Sequence, residues 1–124
     1  KKPSKCLKMK EYQIQIKLVK YLKSKKLSKF RFFHVANQGI RSTKYKFLLS
    51  SMGLKGGCPD LILEFKGGHM VYVEIKAPKG VLSKIQRLWY NISSALKTPH
   101  YILKGEFNDL KKQMDSIITK HYKV

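Results

Sequence analysis

Acid is what this sequence has least of. Only 7 Asp and Glu stand against 27 Lys and Arg in 124 residues, a formal net charge of +20. Such a chain repels itself unless something negative lies on it, and that selects nucleic acid as the partner class. An anionic membrane surface fits less well, because the lysines are scattered along the chain and do not line one amphipathic helix. A lysine coat of the kind AT-rich genomes encode accounts for part of the count. Cysteine is equally scarce. Cys6 and Cys58 stand far apart, with no CxxC and no Cys/His cluster, which argues against a zinc site and fits a reduced intracellular setting. The four histidines, His34, His69, His100 and His121, show no metal-ligand spacing. No apolar run approaches a membrane span and no signal-peptide pattern is present, so no membrane partner is expected. The chain opens Lys1-Lys2-Pro3 without Met, as a processed or missing start would leave it.

What is present is apolar enough to fold. Hydrophobic residues make up 43% and aromatics 11%, too many for a disordered chain. The length suits one domain, 1–124, with residues 1–10 a basic arm. Ile14, Leu18, Tyr21 and Leu22 recur at helical spacing and predict a helix over 10–23. Phe30–Asn37 is aromatic and β-branched and reads as a strand. Ser42–Met52 suits a short helix, with Ser42 as N-cap and Gly53 as terminator. Leu61–Phe65 and Met70–Ala77 read as a β-hairpin across Lys66-Gly67-Gly68-His69. A helix follows over Ser83–Leu96, with Ile85, Leu88, Trp89, Ile92 and Leu96 on one face, expected to join the core. His100–Lys104 is a last strand, and Phe107–His121 a closing helix. The order α-β-(α)-β-β-α-β-α places the chain in the α/β class.

Three of the seven acids, Asp60, Glu64 and Glu74, fall within these strands. Side chains alternate across a strand, so Val71, Val73, Ile75 and Ala77 share an apolar face while Tyr72, Glu74 and Lys76 share the other. Asp60 starts one hairpin strand and Glu74–Lys76 ends the other, so all three reach the same end of the sheet. Whether they share a face depends on register. A two-residue turn would oppose Asp60 to Ile75 and turn Glu74 away. A three-residue loop, or a bulge of equal effect, opposes Asp60 to Glu74 or to Lys76, and an odd-length loop is therefore expected. Two convergent carboxylates beside a lysine suit Mg²⁺ or Mn²⁺ and phosphodiester hydrolysis. The same residues also read as an ordinary surface Glu–Lys pair beside a turn Asp. Glu64 sits about 13 Å from Asp60 at strand rise and reads as surface. Tyr72 reads as packing; a place for His34 near the substrate is open, but a strand histidine packed among Phe32 and Phe33 is the plainer reading.

The run "GCPDLILEF", seven further residues, then "VEIKAPKGVLSKIQRLW" resembles the PD-(D/E)XK nuclease superfamily, and within it the virus-type replication-repair nuclease domain, VRR-NUC. The matching residues are Gly57–Asp60, Glu74–Lys76, Gly80, Leu82, Ser83, Gln86 and Trp89. "HVANQGIR", His34 to Arg41, resembles the segment ahead of the site, and the likeness covers about residues 11 to 104. The resemblance implies a restriction endonuclease-like core, a mixed central sheet flanked by helices. It also implies a divalent ion held by Asp60, Glu74 and the Ile75 backbone carbonyl, with Lys76 orienting water.

Glu11, on the apolar stripe of the first helix, matches an acid that superfamily members lean over the metal; a first-turn acid favoured by the helix dipole is the plain alternative. Gln86 matches a site residue of the family, while Ser83-x-x-Gln86 equally fits a capping box. Phosphate contacts are expected from Arg41, Lys44, Lys46, Lys55, Lys79, Lys84 and Arg87, with steep salt dependence. The implied function is a Mg²⁺- or Mn²⁺-dependent DNA endonuclease, acting on branched, flapped or four-way-junction DNA in replication, repair or recombination. A homodimer is implied too. The expected location is the cytoplasm or nucleoid of a bacterium, or a virus-infected host cell. The rivals are a catalytically silent DNA-binding protein of the same fold and a small basic protein that coats nucleic acid.

Overall fold

The computed structural model describes residues 10–28, 30–34, 43–53 and 56–122. In chain order these form α1 (Glu11–Lys25), β1 (Phe30–His34), α2 (Thr43–Ser51), β2 (Leu61–Phe65), β3 (His69–Lys76), α3 (Lys84–Ala95), β4 (His100–Lys104) and α4 (Phe107–Tyr122). The expected order holds. The basic arm up to residue 9, the proposed cap Ser42, and the expected strand beyond His34 lie outside the described residues.

The strands form one mixed sheet in the order β1-β2-β3-β4. β1 and β3 each pair antiparallel with β2, and β4 runs parallel to β3. The β3–β4 crossover goes through α3, the usual way to return a parallel strand.

Alternation along β2 and β3 decides what is buried. Leu61, Leu63 and Phe65, with Val71, Val73 and Ile75, form one apolar sheet face. Against it lie Ile14, Leu18 and Leu22 of α1 and Leu110, Met114, Ile117 and Ile118 of α4. Each set recurs at helical spacing, so each helix offers one stripe to the sheet.

α3 departs from expectation. Its apolar face was expected in the core, yet Ile85, Leu88, Ile92 and Leu96 are 50–71% exposed. Ser93 is the buried residue of this helix, and Trp89 is half-buried against Tyr72. α2 likewise leaves Phe47 and Leu48 exposed, as is Met52 just after it.

Candidate active site

The hairpin loop is the three residues Lys66–Gly68, with Gly67 and Gly68 at φ 79° and 77°, a left-handed region that glycine enters freely. Phe65 pairs with His69 and Leu61 with Val73, so paired residue numbers add to 134. One step beyond the ladder, that register sets Asp60 opposite Glu74. The odd-length loop thus turns the two carboxylates to the same face.

The chain enters β2 through a close approach to α3. Gly57 has φ 80°, and a Cβ there would stand 2.1 Å from Ile85 Cγ2 and 2.8 Å from its carbonyl oxygen. Only glycine fits. Pro59 and Asp60 follow, both buried.

Asp60 Oδ2 accepts a hydrogen bond from the Ile75 N–H at 2.7 Å. Ile75 therefore turns its N–H toward β2, and in a strand the carbonyl of the same residue faces the same neighbour. Its register partner there would be Pro59, which has no N–H to give. The Ile75 carbonyl is thus aimed at the side where Asp60 and Glu74 meet, with no ladder donor from that residue.

Glu74 is 1% exposed. Its Oε2 accepts from Gln86 Nε2 at 2.7 Å, while its Oε1 is buried with no hydrogen-bond partner. Burial first, then the neighbouring Asp60 carboxylate, pushes the Glu74 carboxyl up to about 8. Lys76, also buried, opposes that rise. Its Nζ lies 3.9 Å from Glu11 Oε2. Burial also raises Glu11, countered by Lys76 and by a hydrogen bond from the Ala77 backbone. The first helix thus delivers Glu11 to the edge of the site.

Gln86 makes two sets of contacts at once. Its Oε1 accepts from the Ser83 N–H at 2.9 Å, and its own N–H reaches Ser83 Oγ at 3.2 Å, completing the capping box. Cap geometry leaves the amide nitrogen free to face Glu74. The helix terminus and the carboxylate are braced by one side chain.

His34 is the residue that sequence reasoning missed. It does not pack among Phe32 and Phe33 but lies at the surface, and its Nδ1 donates to the Asp60 carbonyl at 2.7 Å. Strand parity was the available signal: pairing of β1 with β2 sets His34 opposite Leu61, beside Asp60. Glu64 lies away from the site and pairs with Arg31. Tyr72 packs on Trp89 and His100.

Of the expected phosphate contacts, Lys79, Lys84 and Arg87 are exposed around the turn and helix start that carry Gln86, and Lys44 is exposed on α2. Arg41, Lys55 and the Lys46 side chain lie outside the described residues.

The VRR-NUC domain model matches residues 9–105, most of the chain. The chain belongs to the VRR-NUC family. Membership implies a nuclease-type function and DNA binding, and nucleases of this family generally use divalent metals. No curated protein and no solved structure matches the chain. Among the described residues of this VRR-NUC domain, no helix is long and apolar enough to cross a membrane.

The donor set fits a hard divalent ion in chemistry. Two carboxylates and a carbonyl are oxygen ligands of the right type, and Glu74 Oε1 is a buried oxygen that no hydrogen-bond donor reaches, beside the Asp60 carboxyl. No cluster of three or more His, Cys, Asp or Glu side chains occurs among the described residues. Within the VRR-NUC site the third ligand would therefore be backbone.

Proposed function

We propose that this chain is a metal-dependent DNA endonuclease selective for branched, flapped or four-way-junction DNA in replication, repair or recombination. The observation that supports it most is Glu74: a carboxylate withdrawn from water beside a second carboxylate, with one oxygen unpartnered. An acid placed so is costly unless a cation joins it.

Asp60, Glu74 and the Ile75 carbonyl would hold Mg²⁺ or Mn²⁺, with Glu11 supporting at the edge. The bound ion supplies Lewis-acid polarisation of a phosphodiester and a lowered pKa for the attacking water. The Ile75 N–H fixes the Asp60 carboxylate, and Gln86 fixes that of Glu74. Lys76, held near Glu11, brings an ammonium to neutralise charge that grows on the phosphate or to orient the water. Exposed Lys44, Lys79, Lys84 and Arg87 would hold the polyanion. The action would be that of a single domain inside a bacterium or an infected cell.

Linear, flapped and four-way DNA, offered side by side with Mn²⁺, tests the reading. Wild type should cut a branched form best, and Asp60→Ala should bind it without cutting. If Asp60→Ala cuts like wild type, the site is wrongly assigned. A wild type that cuts nothing across metals and substrates is the silent binder.

A homodimer requires a face on which two chains of charge +20 can meet. The exposed run Leu88–Leu96 on α3 has no charged residue and an apolar stripe, which suits that role. Leu88→Glu should then convert a dimer to a monomer in sedimentation experiments, and an unchanged sedimentation coefficient would discard this face.

A further inference from the structure

α1 has a second face that the core does not use. Its core stripe is Ile14, Leu18 and Leu22; beside it, Tyr12, Ile16, Val19 and Lys23 recur at helical spacing, with Val19 at the border of the core and the others exposed. They line a groove of about 480 Å³ together with Gln15, Lys20 and His34. Tyr12 and Ile16 are 59% and 61% exposed. No carboxylate is among the lining residues.

Two observations fix what this groove suits. Its chemistry is an exposed aromatic ring among apolar side chains with two free-standing lysines, the combination by which proteins bind unpaired nucleic acid. Among the described residues neither Lys20 nor Lys23 has an ion-pair partner. Its position is continuous with the site: His34 lines the groove and also donates to the carbonyl of Asp60, while the Gln15 amide lies 3.2 Å from the same ring nitrogen. Glu11, one residue before Tyr12, already stands at the site edge. The face from Tyr12 to Lys23 runs about 16 Å at helical rise, room for several nucleotides.

We infer that the α1–β1 groove holds a single-stranded DNA segment flanking the scissile phosphate. An unstacked base rests on Tyr12, Lys20 and Lys23 hold the backbone, and His34 joins the track to the site. A base within a duplex is already stacked on its neighbours and cannot offer its face to the ring, so the groove distinguishes flapped or frayed DNA from intact duplex. This rests on the nuclease reading above and gives its preference for branched substrates a physical origin.

The test measures binding in EDTA, where no cutting occurs, to a single-stranded oligonucleotide and to a blunt duplex of equal length. Tyr12→Ala should weaken the single strand about tenfold or more and the duplex far less, and Tyr12→Phe should bind as wild type. Lys20→Gln with Lys23→Gln should lower the single-strand salt slope by about 1.4, two contacts at 0.7 each. Lys66→Gln with Lys120→Gln, exposed lysines at the hairpin end, removes equal charge and should leave the slope closer to wild type. All these side chains are exposed, so melting temperatures should not move. Equal losses from both lysine pairs, or an unchanged Tyr12→Ala, overturn the groove. A wild type that cuts flapped DNA with Mn²⁺ while the groove variants bind and cut as wild type also overturns the groove but leaves the nuclease reading standing. If no substrate is cut yet the binding losses appear, the nuclease reading fails and the groove remains.

Discussion

The two ends of the β2–β3 hairpin bury polar side chains on opposite terms. At the loop end, His69 Nε2 lies 2.9 Å from His121 Nδ1, and His121 Nε2 lies 2.7 Å from the Tyr101 hydroxyl. The two rings stack, and Phe65 packs beside them. Both nitrogens of buried His121 have partners. At the open end, Asp60 and Glu74 are buried as neighbouring carboxyls, burial and Asp60 hold Glu74 well above the usual carboxylate range, and no hydrogen-bond donor reaches Glu74 Oε1. Protein interiors normally resemble the first case. A departure of the second kind marks the place where a ligand completes the structure. Burial of polar groups alone says little; the unmet valence distinguishes a site from a strut.

Substitutions at the two ends should therefore fail differently, and this is the largest expected effect. Glu74→Gln, which keeps the buried volume, should cost at least about 10³-fold in cutting, the scale of several kcal/mol of lost charge stabilisation, while metal-free stability near pH 8 and above holds or rises, because a carboxyl that burial and Asp60 keep from ionising becomes a neutral amide. His121→Ala should lower stability by about 1–3 kcal/mol through unpaired partners and leave cutting per folded molecule within about twofold. Denaturant melts read beside cleavage rates decide it. A Glu74→Gln protein that cuts normally, or that unfolds where His121→Ala does not, would erase the distinction between the two ends.

Much of this was legible in the sequence because it followed from parity. The alternation of "VYVEIKA" and an odd-length loop narrowed the partner of Asp60 to Glu74 or Lys76, since one residue more or less flips every side chain, and the observed register selects Glu74. Helical stripes in α1 and α4 were read correctly for a related reason: each stripe meets the sheet. The same periodicity misled for α3. A repeat of apolar residues says that a helix has an apolar face, not that the chain supplies something to cover it. His34 was misread because its neighbours in sequence, Phe32 and Phe33, are not its neighbours in the sheet. Its useful partner, the Asp60 carbonyl, lies 26 residues away and is visible only once β1 is registered on β2. The α1 groove was hidden in the same way, because it joins one helix to one strand with a different chain segment between them.

Acidity offers a finer test, because the two ends should answer pH with opposite signs. Glu74 is raised from 4.5 to about 8 in the folded, metal-free protein. The folded state then holds a proton that the unfolded chain would release, so this end is at its most stabilising below 4.5 and loses stability as pH rises to about 8. His121 is lowered from 6.5, by burial first and then by His69 and Lys120. His100 is lowered to about 4 by burial. For these the unfolded chain binds the proton more readily, so stability falls as pH drops below 6.5. Stability measured across pH in EDTA should thus decline on both limbs. Glu74→Gln should flatten the alkaline limb alone, and His121→Gln should reduce the acid limb alone. Mn²⁺ at a hundred times its dissociation constant should add about 2.7 kcal/mol where the carboxylates are ionised and little at low pH, where protons compete for the same oxygens. Were Mn²⁺ to lift both limbs equally, the ion would not be bound where the two carboxylates meet; were the alkaline decline to keep its full size in Glu74→Gln, Glu74 would not be its source.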